Sequence, residues 1–262
     1  MEEIVYRPPE GCTSIFDTHA HYNDERFAGL TDEILGNMAE YGLAGVITCG
    51  CDARSCEESI ALAEKYENVY FAAGIHPENL DSNTSVEEIA EYAKHKKCVA
   101  IGEIGLDYHW CDTNKAEQKN VFEEQILLAK KLDLPIIVHD REAHADILEI
   151  LKKHKPKGVV HCFSGSEESA AEILKIGMYI GIGGVVTFKN AKRLPEVVKM
   201  LPKDKLLLET DCPYLAPEPF RGKLCYSGMI YLTAEKIAEL RGTDAASILK
   251  QNFLNTKSLF NL

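Results

Sequence analysis

Eight short runs of apolar and β-branched residues recur along the chain, and charged segments with helical periodicity separate them. Strands that alternate with helices predict a parallel sheet, and strands without clean polar alternation are typically buried on both faces. Eight such units within 262 residues fit a closed barrel, which needs about 250 residues, better than an open sheet. We therefore predict an α/β fold, a TIM-type (β/α)8 barrel, in which residues 1–262 form a single domain. The predicted strands are 14–18, 45–49, 69–74, 99–103, 134–139, 158–161, 178–182 and 205–209.

The segments between the predicted strands have the features of amphipathic helices. In residues 114–132, apolar side chains recur on one face while Lys, Glu and Gln fill the other. The side chains predicted to face the core are Phe122, Ile126, Leu127 and Ala129. Residues that commonly cap a helix N-terminus precede acidic residues at three places: Thr31, Ser85 and Ser166.

Composition narrows the classes of function that the chain can have. A net charge of −12 argues against a broad basic surface that coats nucleic acid, although a metal cluster can still attract phosphate locally. No apolar run is long enough to cross a membrane, and the acidic N-terminus lacks the basic start and apolar run of a signal peptide. We expect a cytoplasmic monomer without membrane contact.

Nine cysteines are scattered through the chain, and none forms a Cys-x-x-Cys pair. In a reducing compartment, cysteines inside apolar runs are usually small buried side chains. Cys49 and Cys51 form a Cys-x-Cys pair, for which a metal role is an open alternative, although zinc-binding pairs usually lie about two to four residues apart.

Metal-capable side chains end five of the eight predicted strands. A barrel carries its chemistry at the carboxyl ends of its strands, so these side chains are expected to gather at one end. The two histidines of the first strand end form a His-x-His pair, and in extended backbone both rings point to the same face. The six residues are His19, His21, Glu103, His139, His161 and Asp211.

Four histidines and two carboxylates are a suitable donor set for divalent metal ions. Imidazole and carboxylate together suit zinc, manganese, iron or nickel, whereas magnesium prefers oxygen alone. Six ligands are too many for one tetrahedral ion but suit two ions about 3.5–4 Å apart. We predict one or two divalent ions (Zn, Mg or Mn). The first ion would be held by His19, His21 and Asp211 and the second by His139 and His161, while Glu103 bridges both.

Such a site predicts hydrolysis by an activated water. Two ions that share a water lower its pKa towards neutrality and stabilise negative charge on the oxygen under attack. Asp211 can accept the proton of that water as a general base, and Glu103 serves catalysis as the bridge between the ions.

At these residues the sequence resembles the TatD family of metal-dependent deoxyribonucleases, within the amidohydrolase superfamily. The resemblance runs over nearly the whole chain and is carried by DTHAH at 17–21, GIHP at 74–77, GEIGLDY at 102–108, HDREA at 139–143, HCFSG at 161–165 and ETDCPYLAP at 209–217. It implies a barrel, a one- or two-metal site on the six residues above, and phosphodiester hydrolysis. The function expected from it is a deoxyribonuclease that acts as a 3′–5′ exonuclease on single-stranded DNA ends.

The chain departs from the family pattern after residues 221–223. Family members usually continue with an Asn and then a Pro two residues later, where this chain has Cys225 and Ser227. Because this segment follows the last strand, we expect it to border the mouth of the site and to alter the contacts to substrate.

Several residues beyond the ligand-bearing strands are candidate substrate contacts. Arginine binds phosphate oxygens in a bidentate fork, and backbone N–H groups before a helix can receive an anion. The candidates are His76, Arg141, Ser164, Arg221 and Lys223. A turn role for His76 and simple solvation of the basic residues are open alternatives, and Tyr108 could either stack on a base or plug the barrel mouth.

Two other functions compete with the nuclease. The same metal centre could hydrolyse a small phosphoester, lactone or amide, because one fold serves many substrates, and the altered segment and acidic charge favour that alternative. A non-catalytic metal-binding or scaffold protein is the third, but a structural zinc site needs only about four ligands.

Overall fold

The computed structural model describes residues 4–262, and within them eight parallel strands pair in the order of the sequence. The bounds are β1 Ile15–Ala20, β2 Leu43–Cys49, β3 Val69–Ala73, β4 Cys98–Asp107, β5 Ile136–Arg141, β6 Gly158–Val160, β7 Tyr179–Ile182 and β8 Leu206–Leu208. Every strand overlaps a predicted one, so the α/β barrel prediction is confirmed. The single-domain boundaries 1–262 stay a prediction, and residues 1–3 lie outside the described part.

Helices follow or precede each strand and cover the outside of the barrel. In the described part they are α1 Thr31–Leu35, α2 Ala53–Lys65, α3 Val86–Tyr92, α4 Lys115–Leu132, α5 His144–His154, α6 Glu167–Lys175, α7 Leu194–Met200, α8 Ile230–Arg241 and α9 Ala245–Phe260. None of the helices within residues 4–262 is long and apolar enough to cross a membrane.

The helix details confirm two of the predicted caps and correct two other expectations. The hydroxyls of Ser85 and Ser166 accept the predicted backbone N–H bonds at the starts of α3 and α6. Thr31 is not a cap: it already lies inside α1, and its hydroxyl donates to the carbonyl of Phe27. Leu127 was expected to face the core but is 53% exposed, because the buried stripe of α4 passes through its neighbour Leu128.

Closure of the barrel brings the first strand beside the chain that follows the last. The N–H of His21 donates to the carbonyl of Cys212 at 2.8 Å, and the N–H of Asp211 donates to the carbonyl of His19 at 3.0 Å. The side-chain hydroxyl of Thr18 adds a bond to the carbonyl of Leu208. We call this junction between β1 and the chain after β8 the seam. It places two predicted ligands, His19 and His21, beside a third, Asp211.

Helix α9 covers the amino-terminal end of the barrel. Phe260 packs into the apolar cluster inside the barrel, which includes Phe16 and Leu207. Asn252 of α9 forms hydrogen bonds with both β1 and β8. Its side-chain N–H₂ group donates to the carbonyl of Phe16, and its side-chain oxygen accepts the N–H of Leu208. With that end filled, the carboxyl ends of the strands are the open end of the barrel.

Candidate metal centre

Glu103 lies at the middle of the six predicted ligands, 3% exposed near the centre of β4. Its Oε2 atom faces the ligands of β1, at 3.2 Å from His19 Nε2 and 3.4 Å from His21 Nε2. Its Oε1 atom faces the ligands of β5 and β6, at 2.8 Å from His139 Nδ1 and 2.7 Å from His161 Nε2. The two oxygens of one carboxylate thus serve two different pairs of histidines.

Asp211 completes the first of these two groups. Its Oδ1 atom lies 3.6 Å from His19 Nε2 and 3.4 Å from His21 Nε2, and those two ring nitrogens are 3.0 Å apart. Asp211 has φ of +58°, a left-handed conformation that a non-glycine residue adopts at some cost and that is common at functional sites. The structure therefore brings all six sequence-predicted ligands together.

The histidines and carboxylates of the cluster shift one another's pKa values. Burial, together with the neighbouring His161, lowers the pKa of His19 to about 4, so that a ring lone pair is free to ligate. Burial alone would raise the pKa of Glu103, but His161, His19 and His76 hold it well below its ordinary value. Burial alone would lower the pKa values of His21, His139 and His161, but the carboxylates beside them raise all three. A bound metal ion displaces such protons, and the donor set of imidazoles and carboxylates fits the predicted ions.

Asp107 is a site residue that the sequence analysis did not single out. Its Oδ2 atom lies 2.9 Å from His139 Nε2, the ring nitrogen opposite the one that faces Glu103. A carboxylate on the far nitrogen of a ligating histidine fixes the ring and its tautomer. Burial opposes the charge of Asp107, yet the hydrogen bond with His139 lowers its pKa to about 2. The signal was present, because residues 103, 105 and 107 share one face of an extended strand.

Glu209 is a second such residue, behind His161. It is 1% exposed, accepts the backbone N–H of Cys162, and has Oε1 3.7 Å from His161 Nδ1. Burial raises the pKa of Glu209 to about 8. Its place behind a ligand resembles that of Asp107 behind His139.

Gly105 allows β4 to approach β5 closely at the level of the ligands. Gly105 pairs with His139 in the sheet and has φ of +152°. A Cβ atom at this position would lie 2.0 Å from the carbonyl oxygen of His139, a distance that no side chain tolerates. The glycine is therefore a condition for placing Glu103 and His139 side by side.

Comparison with known proteins agrees with this geometry. The family model of the TatD related DNase matches residues 16–261. The chain belongs to this family. It is 42% identical over 255 residues to an uncharacterized metal-dependent hydrolase, YabD, of Bacillus subtilis (strain 168), with 95% of this chain and 99% of that protein covered. It is 32% identical over 262 residues to the 3′-5′ ssDNA/RNA exonuclease TatD of Erwinia tasmaniensis, with 95% and 100% covered.

A solved structure supports the same assignment. The crystal structure of YjjV, a TatD homologue from Escherichia coli K12, superposes with a TM-score of 0.90 at 34% sequence identity, covering 96% of this chain and 99% of that one. The predicted TatD family is confirmed, and the family together with the ligand cluster makes the chain a metal-dependent hydrolase.

The departure from the TatD pattern does not lie at the mouth of the site, so that expectation was wrong. Cys225 and Ser227 are fully buried, and neither is among the described residues that line the cavity. The hydroxyl of Ser227 donates to Asp17 Oδ2 at 2.7 Å, and Asp17 in turn accepts the N–H groups of His19 and Thr210. Cys225 and Ser227 therefore support the backbone that joins β1 to the chain after β8 and lie outside the described cavity lining.

A cavity of about 800 Å³ opens over the cluster, large enough for a small-molecule or nucleotide ligand. Three predicted substrate contacts, His76, Arg141 and Ser164, line it. His76 also has a local role, since its Nδ1 accepts the N–H of Glu78, while its Nε2 lies 3.5 Å from Glu103 Oε1.

The other two predicted contacts, Arg221 and Lys223, are not among the described residues that line this cavity. The chain leaves the mouth after Leu215, and the guanidinium of Arg221 stacks on the ring of Phe188, 4.4 Å from its centroid. Both therefore stay predicted substrate contacts that the described cavity lining does not include.

Tyr108 neither stacks at the mouth nor plugs it. Its hydroxyl donates to Asp146 at 2.6 Å, and Tyr108 is not among the described cavity residues. Trp110, two residues further on, lines the cavity and is 64% exposed.

Proposed function

We propose that this TatD-family chain is a metal-dependent phosphodiesterase that removes nucleotides from the 3′ ends of single-stranded DNA. The observation that carries the proposal is the position of the two carboxylate oxygens of Glu103. Its Oε2 faces His19 and His21, and its Oε1 faces His139 and His161. A two-ion site is suited to phosphodiester cleavage, because it serves both the attacking and the leaving oxygen. The name of the Erwinia relative agrees with this substrate class.

The residues that would hold the ions are the six predicted ligands, grouped by the side chains that lie closest to one another. His19, His21 and Asp211 form one group, His139 and His161 the other, and Glu103 belongs to both. When bound, divalent ions supply a nucleophilic water at neutral pH and stabilise negative charge on phosphoryl oxygens. Because imidazole nitrogens make up most of the donors, zinc or manganese suits the site better than magnesium.

The chain's own groups bind the substrate and move the proton. The side chain of Asp211 is 20% exposed towards the cavity, so it can accept a proton from a water there. Arg141 is the one arginine or lysine among the described residues that line the cavity. Its planar guanidinium suits a phosphate oxygen pair, and Ser164 lies across the cavity in the turn before α6.

Aromatic side chains at the mouth provide a place for bases. Trp110 is 64% exposed and lies beside Arg141, whose guanidinium carbon is 5.7 Å from its ring. Tyr214 is 48% exposed on the cavity wall, with the guanidinium of Arg26 over its ring. Stacking on such rings contributes about 1–3 kcal/mol per base and needs no base pairing. A single strand with unstacked bases therefore suits this mouth better than a duplex.

The charge of the cavity favours a second candidate, a hydrolase of small phosphoesters, lactones or amides. Seven carboxylates line the cavity beside the single guanidinium. An acidic lining repels a polyanion beyond the range of the ions, and a small ester enters without that penalty. The seven are Asp24, Asp52, Glu78, Glu103, Asp140, Glu142 and Asp211.

Digestion of a 5′-labelled single-stranded DNA oligonucleotide separates the two candidates. The protein is stripped of metal and reloaded with magnesium, manganese or zinc, and the Asp211→Asn variant runs beside it. We expect a ladder that shortens from the 3′ end, abolished in the variant because the amide cannot accept the proton. Intact DNA with all three metals, combined with turnover of a small chromogenic phosphoester, would replace the nuclease by the second candidate.

Two properties from the sequence analysis stay predictions. A monomeric state is checked by sedimentation, and a cytoplasmic location by fractionation of cells that express the chain.

A further inference from the structure

We propose that the thiol of Cys51 is a ligand of the ion held by His21 and Glu103, adding a sulfur donor to the nitrogen and oxygen donors of the centre. The inference rests on the metal centre of the proposed function, but it concerns which ion that centre selects and not which substrate it hydrolyses.

Cys51 follows the end of β2 and lines the cavity beside the cluster. Its sulfur, a ring nitrogen of His21 and a carboxylate oxygen of Glu103 all lie within 4.8 Å of one another. Zinc bonds sulfur at about 2.3 Å and imidazole nitrogen at about 2.0–2.1 Å, so two ligands of one ion lie at most about 4.4 Å apart. The Cys51 sulfur therefore lies within, or close to, the range that the ligands of one ion span.

The backbone of Cys51 is held at both of its polar groups. Its N–H donates to the hydroxyl of Ser55 at 2.8 Å, within the capping box of α2, and its carbonyl accepts the N–H of His76 at 2.9 Å. The preceding residue, Gly50, accepts the N–H of Glu103 at 3.0 Å. The thiol is therefore carried by a loop that is tied to the bridging ligand, and little ordering is needed for it to bind an ion.

The other two cysteines near the cluster occupy different positions. Cys49 Sγ lies 3.4 Å from His19 Nδ1, the ring nitrogen that faces away from Glu103, so it supports a ligand from behind. Cys162 lines the cavity, but it is in none of the possible ligand groups found among residues 4–262. Of these three cysteines, only Cys51 both lines the cavity and lies close enough to other candidate ligands to share an ion with them. Cys49, its partner in the Cys-x-Cys pair, does not line the cavity.

A sulfur ligand changes the choice of metal. Binding replaces the S–H bond by a sulfur–metal bond and releases the proton to solvent. Thiolates select zinc and other soft or borderline ions, whereas magnesium prefers oxygen. The first ion position should therefore prefer zinc or cobalt over magnesium more strongly than four histidines and two carboxylates would alone.

Cobalt spectroscopy of the full chain tests the proposal without any substrate. Metal-free protein is titrated with Co²⁺, and bound cobalt is measured by equilibrium dialysis on the same samples. The variants are Cys51→Ser and, as a matched cavity cysteine, Cys162→Ser. We expect a near-ultraviolet thiolate-to-cobalt charge-transfer band in the wild-type chain and in Cys162→Ser, and its loss in Cys51→Ser with the other ligands still binding cobalt.

Alkylation mapped by mass spectrometry gives a second readout that does not depend on the variants. Zinc should protect Cys51 from iodoacetamide and leave Cys162 reactive. Bound cobalt without the band, or a band that persists in Cys51→Ser, overturns the thiol ligand while leaving the proposed function intact. A chain that binds no cobalt or zinc at all overturns both.

Discussion

Replacement of Glu103 by glutamine tests the bridging role that organises the centre. Glutamine keeps the shape of the side chain but has one oxygen, so it can serve either the His19–His21 pair or the His139–His161 pair, and not both. Its amide N–H₂ group has no lone pair to offer a metal ion. We expect the number of tightly bound zinc ions per chain to fall by at least one.

The expected loss of zinc affinity follows from the contacts that Glu103 makes. Loss of a partner that only orients a ligand costs about 10–100-fold in metal affinity. Glu103 contacts four ligands directly, at 2.7–3.4 Å, and supplies a full negative charge. Its loss should therefore cost at least roughly 100-fold at the weakened position, or about 2.8 kcal/mol.

Calorimetric titration of the metal-free chain with Zn²⁺, with bound metal counted by elemental analysis, measures both quantities. Circular dichroism spectra and thermal melting of the metal-free proteins establish that the variant is folded. The control is Glu142→Gln, an equally isosteric change on the cavity rim, where Glu142 contacts His109 and none of the six ligands. Unchanged zinc stoichiometry and affinity in Glu103→Gln would refute the bridge.

Three further changes test other parts of the argument. Asp107→Asn should weaken zinc binding about 10–100-fold at one position only, because Asp107 contacts His139 alone among the ligands; equal weakening at both positions in the same titration would contradict this. Arg141→Ala should raise the KM for an oligonucleotide and reduce its salt dependence by about one phosphate contact, whereas Arg221→Ala should leave both unchanged, because Arg221 is not among the described residues that line the cavity; a larger effect of Arg221→Ala than of Arg141→Ala would contradict this ranking. Asn252→Leu leaves one backbone donor and one acceptor unpaired in the seam, and at about 1–3 kcal/mol each it should lower the free energy of unfolding by roughly 2–6 kcal/mol in urea; a stability equal to wild type would show that the seam closes without α9.

The cluster of six candidate ligands could be predicted from the sequence because each of them is a metal-capable side chain at the end of an apolar run. An apolar strand that ends in a histidine or carboxylate is visible in a window of a few residues. Because barrel chemistry lies at the carboxyl ends of the strands, these strand ends are expected to meet at one site. Glu103 shows how strong the signal is, since an ionised carboxylate inside a buried run needs a partner. Its neighbours in the sequence already imply that the partner is a cation.

The residues that support the ligands depend on contacts between strands, which the sequence shows only in part. Alternation along β4 places Asp107 on the same face as Glu103, but it does not show which histidine Asp107 meets. Asp107 meets His139 through the register of β4 on β5, and Glu209 meets His161 through that of β8 against β6 and β7. The same limitation bears on Arg221, a predicted substrate contact that is not among the described residues lining the cavity. Closeness in sequence to a ligand-bearing strand does not place a side chain in the cavity once the loop has turned away.

The seam is the place where the fold and the metal centre depend on each other. His19 lies in the first strand, His21 directly follows it, and Asp211 follows the last strand, so an ion held by all three connects the first strand to the chain after the last. The same backbone junction is tied beneath by Asn252. An ion that binds only the closed barrel stabilises it by an amount that grows with its free concentration, about 2.7 kcal/mol at a hundred times Kd. Mutations that loosen the seam should therefore weaken metal binding, and metal should in turn offset part of their cost in stability.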